Sequence, residues 1–358
     1  MIRVCHVTSA HGKEDDRIFL KECVSLAKNG YEVYLVERGE TYDKDGVHII
    51  GLGDIPDGRI KRMTGGAKKA YMNALELNAD VYHLHDPELL PYTLKLKRKG
   101  KIVIFDSHED VPAQIMDKIW IPKPLRFLTA KLYKHYETRV AKRIDAVITA
   151  TPHIAEQFAG RAKKVVVINN YPKLDDILYH DTPFAEREAI ICYAGGIDEL
   201  RGEKTMVEAM KNVDGTLIIA GDHEVLDLPR LGIKYLGRID RQGINSLYGK
   251  AIVGLCILKP IQNYFYSQPI KIFEYMASGI PFICSNFPLW VQIANESGAG
   301  VCVDPSDPIK LAETINGLLS DRSKAEKMGQ SGYKYVTCNC SWSIEEKKLI
   351  SLYEGMAI

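Results

Sequence analysis

The chain has 358 residues, 46% hydrophobic and 26% charged, which excludes a largely disordered protein and favours two domains over one. Lys and Arg number 47 against 46 Asp and Glu, and a net charge of +1 argues against a general nucleic-acid binder. The balance is uneven, with 28 basic and 22 acidic residues in 1–170 but 19 and 24 in 171–358, so the halves carry about +6 and −5.

Eight cysteines without a CxxC pair form neither a disulfide framework nor a zinc site and fit a reducing compartment. The N-terminal MIRVCHVT reads as a strand rather than a signal peptide, and no run approaches about 18 apolar residues. The expectation is a cytoplasmic protein, soluble or at most lying on a membrane surface.

Short β-rich apolar runs at 2–8, 31–36, 47–50, 81–85, 101–106, 146–149 and 165–168 alternate with amphipathic segments such as 16–29 and 64–78. That alternation predicts a parallel sheet covered on both faces. Residues 171–187 hold Asp175, Asp176, Asp181, Pro172 and Pro183 without periodicity and read as a linker. A second series at 190–195, 216–221, 233–237, 253–258, 281–285 and 300–304 predicts a second α/β domain over 188–337. In the last segment, 338–358, Trp342, Leu349, Leu352 and Tyr353 are spaced like one face of a helix returning to the first domain. The fold class is therefore two doubly wound domains, 1–170 and 188–337. Ligands are expected beyond the carboxyl ends of the strands, in a cleft between the domains.

The richest chemistry in the first half is His83-Leu84-His85-Asp86-Pro87-Glu88 at one strand end and Asp106-Ser107-His108-Glu109-Asp110 at the next. Alternation puts His83 and His85 on one face, and neighbouring strands would bring His85 to His108. His85, Asp86 and His108 are candidates to orient or deprotonate hydroxyls near neutral pH. Two other readings stay open from the residues alone. Asp86 and Ser107 are good helix N-caps. An HxH pair with a carboxylate suits zinc or manganese, although no later strand end completes a shell, and no metal is expected.

In the second half, Gly195 and Gly196 end a strand and Arg201-Gly202 opens a helix, a turn that presents N–H groups and a guanidinium to an anion. This is neither GxGxxG nor a P-loop. The segment Tyr266-Ser267-Gln268-Pro269-Ile270-Lys271-Ile272-Phe273-Glu274 runs into a helix closed by Gly279 at the C′ position. Glu274 can accept two ribose hydroxyls there, while N–H groups over 267–271 face phosphate or sugar oxygens.

Spread over nearly the whole chain, the first-strand loop with Asp16-Arg17, SLAKNGYEV (25–33), DVYHLHDPE (80–88), IFDSHED (104–110), YAGGIDELRG (193–202), LIIAGD (217–222), YLGRI (235–239) and PIKIFEYMASGIPFI (269–283) resemble the retaining glycosyltransferases of family four, the group 1 glycosyl transferases. The resemblance implies the GT-B fold of two Rossmann-like domains. It also implies transfer of a sugar from a nucleotide-diphosphate donor to a glycan or lipid-linked acceptor, with retention and without a metal or other cofactor. It puts Glu274 on the donor ribose, Arg201 where the family usually has a diphosphate-binding lysine, and His108 on the transferred sugar. Gly195, Gly196, Ser267, Gln268, Pro269, Ile270 and Lys271 fall on the donor side, and His11, Gly12, Asp16, Arg17 and Glu109 on the acceptor side. In such a mechanism the leaving phosphate helps remove the acceptor proton. Two positions depart from the family: Tyr266 replaces a common glutamate, and Gly196 replaces a common arginine that would contact phosphate. Lys271 or Arg238 could compensate for the latter.

Two alternatives from other classes are a non-catalytic GT-B module and a nucleotide-sugar 2-epimerase on the same fold. The basic excess of the first half has a use in the transferase reading. Lys95, Lys97, Arg98, Lys99 and Lys101 crowd one helix end, and Arg59, Lys61, Arg62, Lys68 and Lys69 another segment. Between 118 and 143, eight basic residues and one acid interleave with Ile119, Trp120, Ile121, Leu125, Phe127 and Leu128. Such a stretch suits an anionic membrane surface, or a solvated helix whose apolar side lies in the core.

Overall fold

The computed structural model describes residues 1–53, 62–118, 121–222 and 232–356. The chain divides into two compact units, Met1–Asn170 with Ser343–Ile358, and Tyr171–Trp342. Arg59, Lys61, Ile119 and Trp120 lie outside the described residues, as does the side chain of Arg62.

In the first unit the strands are β1 (Arg3–Val7), β2 (Glu32–Glu37), β3 (Tyr42–Lys44), β4 (Val47–Gly51), β5 (Val81–Leu84), β6 (Ile102–Ser107), β7 (Ala146–Thr149) and β8 (Val165–Val167). They form one sheet in the order β3-β4-β2-β1-β5-β6-β7-β8, parallel except at the β3–β4 edge. That hairpin was not expected from the apolar runs. It turns on Asp45 and Gly46 at φ +49° and +79°, the left-handed pair that Asp-Gly supplies at least cost.

Period-two alternation splits the centre of this sheet into two unlike faces. Cys5, Val7, Tyr82, Leu84, Val103 and Phe105 join the apolar core. His6, His83 and Asp106, on the alternate positions, are equally buried but polar. Against them lie Glu22, from a π-helical turn Ile18–Cys23 that continues as the helix Val24–Lys28, and Tyr353, from the terminal helix Trp342–Glu354.

The second unit holds β9 (Ile190–Ala194), β10 (Thr216–Ala220), β11 (Ile233–Tyr235), β12 (Val253–Cys256), β13 (Phe282–Ser285) and β14 (Gly300–Val303). All are parallel, in the order β11-β10-β9-β12-β13-β14. Both sheets therefore reverse direction of winding beside their first strand, between β1 and β5 and between β9 and β12. Those are the switch points where doubly wound sheets bind ligands.

Residues 171–187, expected as a linker, are packed into the second unit. Ile177 and Phe184 are buried in its core, and short 3-10 turns at Leu174–Asp176 and Phe184–Glu186 take the place of helical periodicity. The helix Arg322–Asn339 also belongs to that unit, which extends to Trp342. No helix among the described residues is long and apolar enough to cross a membrane.

Candidate functional site

In the first unit, the loops after β1, β5 and β6 bring together most of the residues singled out from the sequence. His85 Nδ1 lies 3.3 Å from His108 Nε2, and His108 Nε2 lies 2.9 Å from Asp106 Oδ2. His11 packs edge-on against His108 at 5.6 Å between ring centres and bonds Asp15 through Nδ1 at 2.9 Å. That bond raises the His11 pKa despite partial burial, and it holds Asp15 below the usual carboxylate range against its own burial. His108 is partly exposed, and Glu109 beside it is exposed.

Three expectations change here. Asp86 does not cap the following turn through its side chain; its carboxylate accepts from the backbone N–H of Ser9 and Ala10 and from Thr8 Oγ1, so it shapes the loop after β1. Ser107 is the last strand residue, and the next helix, Val111–Asp117, is capped by Asp110, which accepts from Ala113 N–H. Arg17, expected on the acceptor side, is buried: Nε and Nη2 fork onto Asp106 at 2.9 and 3.0 Å, and Nη1 donates to the Ile168 carbonyl at 2.8 Å. With every polar atom occupied inside the unit, it is a structural cation. Asp16 is exposed and pairs with Lys21 Nζ; a Cβ on Gly12 would meet nothing within 4 Å.

Beneath this surface the polar face continues inward. His6 Nδ1 lies 2.9 Å from His85 Nε2, and the Tyr353 hydroxyl lies 2.9 Å from His83 Nδ1 and 3.4 Å from His6 Nε2. Burial, reinforced by the neighbouring imidazoles, lowers His6 and His83 well below the ordinary histidine value. Burial also raises Glu22 well above the carboxylate range, and the Asp106 charge adds to it while Arg17 opposes. Asp106 goes the other way, because Arg17 and then His108 outweigh its burial.

Two sets here have metal-ligand types with their ligand atoms within 4.8 Å of one another: His6, Glu22, His83 and His85, and His85, Asp106 and His108. Arg17 fits them poorly for a cation. It occupies both Asp106 oxygens and lies 3.2 Å from Glu22 Oε1, so an ion would sit against a fixed positive charge.

In the second unit, the loop after β9 carries Gly195 at φ +124°, packed against the loop after β10 so closely that a Cβ on Gly221 would meet the Gly195 carbonyl at 2.1 Å. Two cations converge on this turn. A Cβ on Gly195 would lie 3.3 Å from Lys271 Nζ, and one on Gly196 would lie 3.1 Å from Arg201 Nη1. Lys271 therefore supplies a charge beside the turn whose usual arginine is Gly196, while Arg238 is paired with Asp222. The ammonium of Lys271 sits 3.7 Å above the Tyr193 ring, and burial lowers its pKa to about 8. Arg201 is held meanwhile by Asp198 at 3.1 Å.

Glu274 lies in the helix Ile270–Ala277, which ends at Gly279 with φ +74° as the sequence predicts. It is buried, with Oε2 accepting from Tyr248 at 2.9 Å and Oε1 paired to Arg241 at 2.8 Å. The loop before the helix is fixed by Ser267, whose carbonyl accepts from Trp290 Nε1 at 2.8 Å and whose hydroxyl donates to Tyr264 O. The Ser267 N–H also bonds Tyr264 O, so it is not one of the N–H groups available to a ligand. Gln268 Oε1 is buried without a partner, Pro269 precedes the first helical residue, Ile270, and Tyr266 is exposed. Sequence reasoning missed Tyr193, Arg241 and Tyr248, which reach this site from β9 and from the helix Arg241–Lys250. They stand in no motif with Glu274, and only the fold joins them.

Comparisons with known proteins bear on the family and the fold. The family model for Glycosyltransferase Family 4 matches residues 19–171, and that for Glycosyl transferases group 1 matches 179–335. Among curated relatives, a GDP-mannose-dependent alpha-(1-6)-phosphatidylinositol monomannoside mannosyltransferase of Mycobacterium tuberculosis is 24% identical over 215 residues, covering 59% of this chain and 44% of its own. The chain spans about half the length of the curated relatives it matches. Among solved structures, sucrose-phosphate synthase from Thermosynechococcus elongatus has a TM-score of 0.78 at 18% identity, covering 99% of this chain and 98% of that one. Anabaena HepE in complex with UDP-glucose has a TM-score of 0.72 at 11% identity, covering 99% and 100%. The fold is that of the GT-B glycosyltransferases, and with one family model on each unit the chain belongs to the group 1 glycosyl transferases, family four.

Proposed function

We propose that the chain transfers a sugar from a nucleotide-diphosphate donor to a glycan or lipid-linked acceptor with retention of configuration, in surface-glycan or glycoconjugate assembly. The observation that carries this reading is the second-unit site: a buried Glu274 on the same helix as Lys271, which converges with Arg201 on a glycine turn. The carboxylate suits the vicinal hydroxyls of a ribose, and the two cations with the turn suit a diphosphate. In the reaction the bond from the anomeric carbon to the diphosphate breaks and a bond to the acceptor oxygen forms on the same face. The acceptor proton leaves with the diphosphate, and the cations stabilise the charge that develops there. Donor charge is thereby handled by side chains, with no metal or other cofactor. His108 serves the transferred sugar. The names of two comparison proteins, one GDP-mannose-dependent and one complexed with UDP-glucose, support a nucleotide-sugar donor.

The same reading places the protein at the cytoplasmic face of a membrane. Among the apolar side chains of the helix Lys123–Ala141, Leu125, Phe127, Leu128 and Leu132 are 52%, 64%, 52% and 62% exposed, so this face is not in the core. Lys123, Lys131 and Lys134 surround them, a pairing of apolar and cationic groups that suits an anionic lipid surface.

The test is a screen of nucleotide-sugars for thermal stabilisation and slow hydrolysis, with His108→Ala and Glu274→Ala as controls. Stabilisation by one nucleotide, turnover, and loss of turnover in both variants is the expected result. Binding without turnover would point to a non-catalytic module, and conversion to an epimeric sugar would overturn the transferase. Abolition of turnover by a chelator would overturn metal independence.

A further inference from the structure

The first unit contains a chain of hydrogen-bonding groups that the transfer chemistry itself does not call for. It runs from Tyr353 through His6 and His85 to Asp106, where His108 and Arg17 also meet. Arg17 never loses its charge and is buried with both Asp106 oxygens in its fork. Asp106 is therefore a carboxylate, which can only accept hydrogen bonds.

That constraint propagates outward. At 2.9 Å from Asp106 Oδ2, His108 Nε2 must carry the hydrogen. Its other nitrogen, Nδ1, has no hydrogen-bond partner among the described residues and is left with a bare lone pair on a partly exposed ring. It propagates inward as well. With Nδ1 3.4 Å from Asp106 Oδ2 and 3.3 Å from His108 Nε2, whose hydrogen is turned to Asp106, His85 keeps its own hydrogen on Nδ1, facing the carboxylate. Its Nε2 then accepts from His6 Nδ1 at 2.9 Å, and His6 Nε2 is left to accept from Tyr353. One fixed ion pair thus assigns the hydrogen on three successive imidazoles.

We propose that Asp106, locked by Arg17, is a positioning residue that holds His108 with hydrogen on Nε2, so that Nδ1 is the atom offered to a hydroxyl of the transferred sugar. This rests on the reading that His108 serves that sugar. Its own content, which nitrogen bears the hydrogen and why, is testable without any substrate.

The experiment is a long-range proton–nitrogen correlation spectrum of the full chain labelled with 15N-histidine, recorded where imidazoles are neutral, with the His108 signals assigned by their loss in His108→Gln. The expected wild-type pattern is a protonated Nε2 and a bare Nδ1. In Asp106→Asn the two tautomers mix, and turnover of the donor found in the screen falls roughly 10- to 100-fold in kcat with little change in donor KM. Arg17→Lys, which keeps a cation but cannot fork, retains the wild-type tautomer because Asp106 stays ionised. A wild-type His108 protonated on Nδ1 overturns the proposal, even if Asp106→Asn does not fold. So does an Asp106→Asn chain with unchanged spectrum and kcat. If instead His108→Gln turns over normally, the functional reading fails while the spectrum still decides the positioning.

Discussion

The Arg17 guanidinium and the Asp106 carboxylate, 89 positions apart in the chain, are joined by two parallel hydrogen bonds inside the first unit. Neither partner can be solvated where it lies, so each depends on the other. Removing one leaves an uncompensated buried charge, a cost of about 3–5 kcal/mol. Arg17→Leu is expected to destabilise the protein by that amount in urea unfolding. Arg17→Leu with Asp106→Leu removes both charges and is expected to recover most of the loss. A double variant as unstable as the single one would mean that the pair is not what the single substitution disturbs.

Glu22 gives a pH-dependence of the opposite sign to that of a paired carboxylate. Buried among His6, His83 and His85, with Asp106 adding repulsion and Arg17 only partly offsetting it, it is held protonated above its ordinary value of 4.5. A raised folded pKa stabilises the protein fully below 4.5, and that contribution is lost as pH rises toward the folded value. Glu22→Gln keeps the shape and cannot ionise. Its stability relative to the wild type is therefore expected to improve steadily from pH 4.5 upward, measured as unfolding midpoints across pH. A difference that stays constant with pH would show that Glu22 is ionised in the folded protein.

Part of this arrangement was legible in the sequence and part was not. Alternation along a strand places His83 and His85 on one face, and helix spacing places Glu274 one turn past Ile270; both are local, and both stand in the structure. The partners of those residues are not local. Tyr353 meets His83 across 270 positions, and Tyr248 meets Glu274 across 26 through a separate helix. No spacing rule connects such pairs. Residues 171–187 fail for another reason: Phe184 and Ile177 pack singly through short turns, so burial leaves no period to read.

Lys271 should make nucleotide binding depend on pH. With its pKa lowered to about 8, the ammonium beside Gly195 begins to lose its proton in the range where a free lysine would stay charged. A diphosphate prefers the charged form, so binding above pH 8 must take up a proton, and affinity should fall roughly tenfold per pH unit there. Titration calorimetry with the nucleoside diphosphate identified in the screen, in buffers of different ionisation heat, reads that proton directly. Lys271→Arg should flatten the dependence, because guanidinium stays charged, and Lys271→Met should weaken binding at every pH. Equal pH profiles for Lys271→Arg and the wild type would remove Lys271 from the phosphate site.

The helix Lys123–Ala141 offers the last test, because its two faces make different demands. Ala130, Glu137, Val140 and Ala141 are buried, and Glu137 is tied to Arg161 at 2.7 Å, so that side is committed to the fold. Leu125, Phe127, Leu128 and Leu132 have no such role, and changing them should leave thermal stability nearly untouched. Binding to vesicles containing anionic lipid should weaken strongly when all four become serine, since apolar insertion and charge attraction act together. Lys131→Gln should cost about 1 kcal/mol, roughly fivefold in partitioning, and added salt should erase that difference by screening. Co-sedimentation separates the terms: binding that is equal on neutral and anionic vesicles would assign the attraction to the apolar residues alone, and no binding to either would leave this helix face without a membrane role.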